Sequence, residues 1–354
     1  MKIIPIILFL FLTACGAGVD QATENKSIDG ISVYFTDASA PGAENYTGGP
    51  ENQLIASIQK AENSIDVALY ELSLQNLTDS LISAHNRGVH VRVLTDTDQL
   101  DWERFIELAY NGIEVKGDQR SALMHNKFFV IDGEVVWTGS MNMTYTGAYR
   151  NRENLVRLDS FQAAVNYTEE FTQLWAGTHN QENAADNYFL INNTPVDIHF
   201  SPDDNFRGTR LQPLLQQAQH SVHMLAFSFT SVDIAAELLL LKLKGVDVKI
   251  VVDSSQTGHS SSQYDDLLAL GIDIRRDGQS HKLHHKVIIV DERYVLTGSY
   301  NFSENAESRN DENSVIIDSP ALAQQFEQEF ADIYSHASAR SAPQNKMMTV
   351  DDRY

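Results

Sequence analysis

The sequence predicts an α/β protein built as two tandem layered lobes, and two observations predict it. Segments rich in β-branched residues alternate with segments of helical periodicity, the pattern of strands layered with helices. The whole pattern also occurs twice: "AENSIDVALYELS" (61–73) matches "AQHSVHMLAFSFT" (218–230) and "RGVHVRVLTD" (87–96) matches "KGVDVKIVVD" (244–253), both at an offset of 157. From "LAYNGIEVKGD" (108–118) and "LLALGIDIRRD" (267–277) onward the copies run without a gap at an offset of 159, as far as Ser160 and Ser319.

In the first copy, apolar residues recurring at three or four positions predict helices over Gln53–Glu62, Asn76–Arg87 and Trp102–Asn111. Strands are expected at Ile65–Tyr70, Val89–Thr95 and Ile113–Lys116, with Gly88 and Gly112 where a helix must stop. Such alternation points to a largely parallel sheet. The lobes are placed at residues 30–177 and 196–338, joined by an Asn-rich polar link over 178–195, with a mobile tail over 339–354.

The amino terminus has a different character. Lys2, an apolar run of about ten residues and then small residues form the layout of a secretory leader, too short to span a bilayer. Leu12-Thr13-Ala14-Cys15 resembles a bacterial lipobox, which implies cleavage after residue 14, lipid attachment at Cys15 and a tether over 15–29. Cys15 is the single cysteine, so no disulfide forms within the chain. The expectation is an exported, lipid-anchored bacterial lipoprotein, periplasmic or at the outer membrane. The apolar content of 42% suffices for a packed core and excludes a disordered chain, while the net charge of −22 handicaps polyanionic partners without excluding a local basic cleft.

Chemistry concentrates in one stretch of each copy, "MHNKFFVIDGEVVWTGSMN" and "LHHKVIIVDERYVLTGSYN". His125 aligns with His284, Lys127 with Lys286, Asp132 with Asp291, Ser140 with Ser299 and Asn142 with Asn301. Further on, "RNRENLV" and "RNDENSV" align Glu153 with Glu312. In a strand, residues two apart share a face, so each histidine stands beside its lysine. An imidazole beside an ammonium suits a phosphate ester: the ring can attack phosphorus or pass a proton, and the ammonium stabilises growing negative charge. Ser140, Asn142, Ser299 and Asn301 can supply neutral donors to the phosphate or orient the groups that act on it. Asp132 and Asp291, an odd number of residues from their histidines and next to a turn, are expected to organise the site rather than transfer a proton. His285 aligns with Asn126 and His281 with Ala122, so neither belongs to the repeated set. Met141, Trp137, Tyr300 and Phe302 are read as core, or alternatively as a lipid slot or base-stacking surface.

These residues identify the resemblance. The twin His-x-Lys-x4-Asp motifs resemble those of the phospholipase D superfamily over nearly all of the mature chain, and the layout is similar to its compact bacterial endonuclease and cardiolipin-hydrolase branch. There, one-motif chains often dimerise; here the dimer is fused, which implies a monomer carrying an internal pseudo-dimer. The resemblance implies two tandem α/β/α sandwich lobes related by a pseudo-two-fold axis, so that both motifs meet in one cleft, with His125, Lys127, Asp132, His284, Lys286 and Asp291 as the catalytic set. One histidine forms a phosphohistidine and the other protonates the leaving alcohol, each ring oriented by a carboxylate, for which Glu153 and Glu312 are the candidates. His125 is taken as the attacking ring. No cofactor or metal is implied; Asp96/Asp98, Asp203/Asp204 and Asp265/Asp266 are read as solvated loops rather than cation ligands. The expected activity is hydrolysis of phospholipid to phosphatidic acid and a head-group alcohol at a membrane surface. Nucleic-acid cleavage by the same chemistry is the alternative, with Arg120, Arg150, Arg152, Arg275, Arg276 and Arg309 either forming a phosphate track or bracing the lobes. Phosphatidyl transfer and a non-catalytic binding role are the remaining possibilities.

Overall fold

A computed structural model describes residues 27–178, 181 and 183–338, so Cys15, the leader, most of the tether and the tail lie outside the described residues. The first lobe runs β1 (Ile31–Phe35), α1 (Glu51–Lys60), β2 (Ser64–Leu69), α2 (Gln75–Asn86), β3 (His90–Thr95), α3 (Glu103–Tyr110), β4 (Glu114–Gly117), β5 (Lys127–Ile131), β6 (Val135–Gly139), α4 (Tyr145–Tyr149), β7 (Asn154–Asp159) and α5 (Phe161–Ala176). The second runs β8 (Tyr188–Ile191), β9 (Thr194–Ser201), α6 (Gln212–Gln216), β10 (Ser221–Ala226), α7 (Val232–Leu243), β11 (Asp247–Val252), α8 (Tyr264–Ala269), β12 (Asp273–Arg276), β13 (Lys286–Val290), β14 (Tyr294–Gly298), α9 (Glu304–Ser308), β15 (Glu312–Asp318) and α10 (Pro320–His336).

The strand orders are β1-β7-β6-β5-β2-β3-β4 and β12-β11-β10-β13-β14-β15-β9-β8, so the second lobe repeats the first and adds β8 at its edge. The sheets are mixed, which corrects the largely parallel sheet expected from sequence. Only β2–β3–β4 and β10–β11–β12 are parallel, because only these strands are joined through crossover helices. Three-residue turns join β5 to β6 and β13 to β14, which forces antiparallel pairing. Asp132 and Gly133 carry φ of 54° and 66°, and Asp291 and Glu292 both 52°, the left-handed values that a tight hairpin needs. The polar link read from the sequence also contains β8, paired with β9.

Three cores result. The outer helices α1, α2 and α3 cover one face of the first sheet, and α6, α7 and α8 the matching face of the second. The third core lies between the sheets and is shared: Phe128 and Val130 of the first lobe, Val287 and Ile289 of the second, and the apolar faces of α5 and α10. Phe128, Tyr167 and Phe200 form an edge-to-face chain across the boundary, at 4.9 and 5.1 Å between ring centres. Each such buried ring is worth about 1.5–3 kcal/mol, against roughly 0–1 kcal/mol for an exposed ion pair. Apolar packing therefore holds the lobes together, and Arg152 with Asp332 at their rim adds little. Met141, Trp137, Tyr300 and Phe302 are fully buried in the outer cores and line no slot. No helix among the described residues is long and apolar enough to cross a membrane.

Candidate active site

His125 and His284 each sit just before the central strand of their sheet, next to residues that follow the parallel strands. Such carboxyl ends of parallel strands are the usual place for a cleft in α/β proteins. Tyr70, one residue past β2, packs edge-on against His125 at 5.3 Å, and Phe227, one residue past β10, packs against His284 at 4.6 Å. Asp96 and Asp253, just past β3 and β11, accept the backbone N–H of Met124 at 3.1 Å and of Leu283 at 2.9 Å, fastening the residue before each histidine. Asp96 is thus a buried clamp, 2% exposed, and not the solvated loop acid expected from sequence.

The lobes exchange backbone at the same point. His125 N–H donates to Asp311 C=O at 3.0 Å, and His284 N–H to Arg152 C=O at 2.9 Å. Asp311 and Arg152 immediately precede Glu312 and Glu153, so each carboxylate is delivered to the histidine of the other lobe. Glu312 lies 2.7 Å from Nδ1 of His125, and Glu153 lies 2.8 Å from Nδ1 of His284. With Nδ1 engaged, Nε2 is the ring nitrogen left for the cleft. Lys127 and Lys286 donate from Nζ to the backbone carbonyls of His125 at 2.7 Å and His284 at 2.8 Å, which fixes each ammonium beside its imidazole.

The serines do not face the cleft as phosphate donors. Ser140 is buried, donates to Glu153 at 2.9 Å and accepts the N–H of Asn154 at 3.0 Å; Ser299 accepts the N–H of Asn313 at 3.0 Å. They brace the strand that carries the glutamate. Glycine is required just before them: a Cβ on Gly139 would lie 2.4 Å from the carbonyl of Asn154, and one on Gly298 2.2 Å from that of Asn313. Asn142 does line the cleft and donates to Glu71 at 2.7 Å. Asn301 is not among the lining residues.

Asp132 and Asp291 are not in the site, a correction to their place in the catalytic set. Each lies at the far end of its central strand, about 20 Å from the histidine at ~3.3 Å per residue. Asp132 accepts the backbone N–H of Glu62, Asn63 and Ser64; Asp291 accepts those of Gln219, His220 and Ser221. They tie the hairpin turn to the start of the neighbouring strand. His285 is also outside the cleft: it is buried, with Nδ1 3.0 Å from Asn154 and Nε2 3.2 Å from Glu329.

Sequence reading missed Asn154 and Asn313, which lock the lobes. Thr297 donates to Asn154 at 2.8 Å, and Asn313 donates to Asn126 at 2.9 Å while accepting from Thr138 at 2.6 Å. Their signal was present, since each follows the repeated glutamate. Tyr70 and Phe227 were likewise aligned aromatic positions.

The electrostatics follow from burial. Lys127 is pushed down to about 8 and Lys286 to about 7, because an ammonium is costly to bury even near Glu312 and Glu153. Burial pushes Glu153 up to about 7. Burial acts the same way on Glu312, but His125, Lys127 and Ser299 outweigh it and take that carboxyl below its ordinary value. Both imidazoles are lowered, first by burial; for His284 the ammonium groups of Lys286 and Lys127 add to it and the shift is large. The cleft in front of them encloses about 890 Å³ and is lined by both histidines, Tyr70, Glu71, Phe227 and Lys282 among others.

Two imidazoles thus line one cleft, each backed by a buried ammonium and a buried carboxylate, groups whose chemistry suits a phosphate ester. The family model described as "Cardiolipin synthase, PLD-like domain" matches residues 54–175 and 211–334. The chain belongs to this PLD-like family. Among PLD-like relatives, the mitochondrial cardiolipin hydrolase of Xenopus tropicalis is 35% identical over 132 residues, 37% of this chain and 63% of the relative. The phospholipase D of Rickettsia prowazekii is 31% identical over 147 residues, 41% of this chain and 71% of the relative. The chain thus spans less than two thirds of the length of the cardiolipin hydrolases it matches. The phosphatidylserine synthase of Haemophilus influenzae shares the two-lobed fold, with a TM-score of 0.64, 17% identity and coverage of 86% of this chain and 87% of that one.

Proposed function

We propose that the protein is a phospholipase D-type phosphodiesterase that hydrolyses phospholipid to phosphatidic acid and a head-group alcohol through a phosphohistidine. The observation that carries this reading is the exchange of carboxylates: His125 with Glu312 and His284 with Glu153, two oriented imidazoles around one cleft. One Nε2 attacks phosphorus, and the other ring gives its proton to the departing alkoxide and then takes one from the water that cleaves the P–N bond. Lys127 and Lys286 hold the non-bridging oxygens and offset the charge that grows on them. The lobes of one chain complete the site, which makes a monomer the working unit.

Phospholipid is favoured over nucleic acid by the fate of the arginines. Arg120 pairs with Asp311, Arg152 with Glu329 and Asp332, and Arg275 with Asp273, while Arg150 and Arg276 lie over Tyr46 and Tyr264. None of these, nor Arg309, lines the cleft. A backbone-tracking groove needs a row of free cations, and the net charge of −22 works against one. The names of the relatives, cardiolipin hydrolase and phospholipase D, point the same way. Anchoring through Cys15 after export is part of the proposal and is supported by the leader and the lipobox-like sequence.

The test offers purified protein phosphatidylcholine, phosphatidylethanolamine, cardiolipin, single- and double-stranded DNA and RNA, with His125→Ala and His284→Ala as controls. Phosphatidic acid release lost in both variants is expected. Histidine-dependent cutting of DNA with lipids untouched would overturn the lipid assignment.

A further inference from the structure

One outer helix of the second lobe is apolar on both faces. In α7, Ile234, Leu238 and Leu241 are buried in the outer core, as their repeat mates Leu77, Leu81 and Ala84 are in α2. The opposite face differs between the lobes. Val232, Ala236, Leu240 and Leu243 of α7 all stand in solvent, with Val232, Leu240 and Leu243 67%, 49% and 76% exposed. Their spacing of four, four and three residues puts them in one stripe along the helix. The mates in α2, at the offset of 157, are Gln75, Asp79, Ser83 and Asn86. A polar face therefore satisfies the fold at this place, and the apolar one has another cause. Apolar residues scattered singly over a surface need no explanation, but a continuous stripe marks a contact.

We propose that this stripe docks on a phospholipid bilayer, a reading that takes its partner from the phospholipid activity proposed above. Its size favours lipid over a second protein. The twelve residues of α7 give a strip of ~18 Å by ~10 Å, on the order of 180 Å², whereas a stable protein interface needs about 800 Å² on each side. A bilayer needs no matching shape and accepts a narrow apolar face at the boundary between headgroups and acyl chains.

The charges beside the stripe suit a surface of phosphates. Lys242 and Lys244 are exposed at its carboxyl end, and neither joins an ion pair among the described residues. Such lysines lay their stems along apolar surface and hold the ammonium at headgroup level. At the amino end, Arg207 faces Asp233 at 3.4 Å and offsets its charge. With a net charge of −22 the chain as a whole gains nothing from an anionic surface, so the apolar stripe carries the affinity.

The position of the stripe connects it to the site. Val232 follows Phe227 by five residues, and Phe227 packs at 4.6 Å on His284. Docking along α7 therefore holds the second-lobe wall of the cleft beside the lipid. An anchor at Cys15 sets only a distance, up to about 40 Å over the twelve residues to Ser27, and selects no face of the lobes.

The test uses the full chain with Cys15→Ser, which removes the acyl anchor, and vesicles of phosphatidylethanolamine and phosphatidylglycerol. In that background Ala236→Cys and, at its repeat mate, Asp79→Cys each carry a single bimane label, because the chain has no other cysteine. Brominated lipid in the vesicles is expected to quench the label at 236 and to leave the label at 79 nearly untouched. Val232→Gln with Leu240→Ser and Leu243→Asn gives α7 the residues of α2. These substitutions should remove the quenching at 236 and raise the vesicle concentration for half-maximal turnover at least about tenfold. Hydrolysis of a short-chain phospholipid below its micelle concentration should stay within about twofold, and the melting temperature should hold, because all three positions are exposed. No quenching at 236, or equal quenching at 236 and 79, overturns the docking surface. A dimer of the free chain that the three substitutions abolish, with no lipid contact at 236, assigns the stripe to a second copy instead. Contact at 236 with no phospholipid hydrolysed keeps the docking surface and counts against the phospholipase reading. Hydrolysis of the short-chain lipid without contact at 236 does the reverse.

Discussion

Glu153, carried by the first lobe, lies 2.8 Å from Nδ1 of His284 in the second, and Glu312 makes the reciprocal contact to His125 at 2.7 Å. Each ring is therefore oriented from across the lobe boundary. Glu153→Gln should change the environment of His284 and leave His125 nearly untouched, although Glu153 and His125 belong to the same lobe. The ring-nitrogen shifts of the two histidines, followed by NMR in Glu153→Gln and Glu312→Gln, check this. Turnover in each variant should fall about 10²- to 10⁴-fold, the usual range for losing acid–base function. A response confined to the histidine of the same lobe would contradict the exchanged pairing.

The lysines should set the alkaline limit of the proposed activity. With Lys286 near 7 and Lys127 near 8 in the free protein, each ammonium loses its proton as pH rises through those values and stops donating to phosphate. The logarithm of kcat/KM, which reports the free enzyme, should fall over pH 7–8 and beyond. Lys286→Arg keeps its charge throughout this range and should move the limb upward while lowering the maximum rate, since a planar fork does not replace a compact ammonium. A wild-type profile flat to pH 9.5 would show that both lysines hold their protons.

Charge neutralisation by Lys127 and Lys286 also predicts independence from divalent cations. Dialysis against a chelator should leave turnover within about twofold, because the ammonium groups occupy the place where a metal would act on phosphate oxygens. Prompt loss of activity on chelation, restored by a divalent ion, would require a different assignment of the charge.

Much of this site was legible in the sequence, because the repeat separates His125 and His284 from His281 and His285 without any structure. The pairing of carboxylate to ring was not legible. Two identical motifs look the same whether each glutamate serves its own lobe or the other, and only the bridges from His125 to Asp311 and from His284 to Arg152 decide it. For Ser140 and Ser299 the sequence left phosphate binding and an orienting role both open for a related reason. Their residue type suits a phosphate, but glycine at 139 and 298 lets the strands close tightly and turns both hydroxyls toward the glutamate strand. In the fold, the mixed character of the sheets was hidden in two short turns, where Asp132 and Asp291 adopt left-handed backbone.

Those turns give the last prediction, for the aspartate of the motif. Asp291 accepts three backbone N–H groups at 2.7–2.9 Å, from Gln219, His220 and Ser221, at the start of β10. Asparagine tolerates the same left-handed backbone, so Asp291→Asn removes the charge and one acceptor without straining the hairpin. The cost should be about 1.5–3 kcal/mol of stability, the range for hydrogen bonds to a charged group. The turnover of the folded protein should stay near wild type, as the carboxylate never reaches the cleft. The pH dependence has a definite sign. Burial alone would raise this carboxyl, but the backbone N–H groups of Ser221, Gln219 and His220 outweigh it and hold the folded-state value below 3.8. The wild-type advantage over Asp291→Asn should therefore be complete above the unfolded value near 4 and vanish as pH falls through the folded one. Denaturant melts of the two proteins between pH 2.5 and 7 measure the difference, and a large loss of kcat with unchanged stability would return Asp291 to the catalytic set.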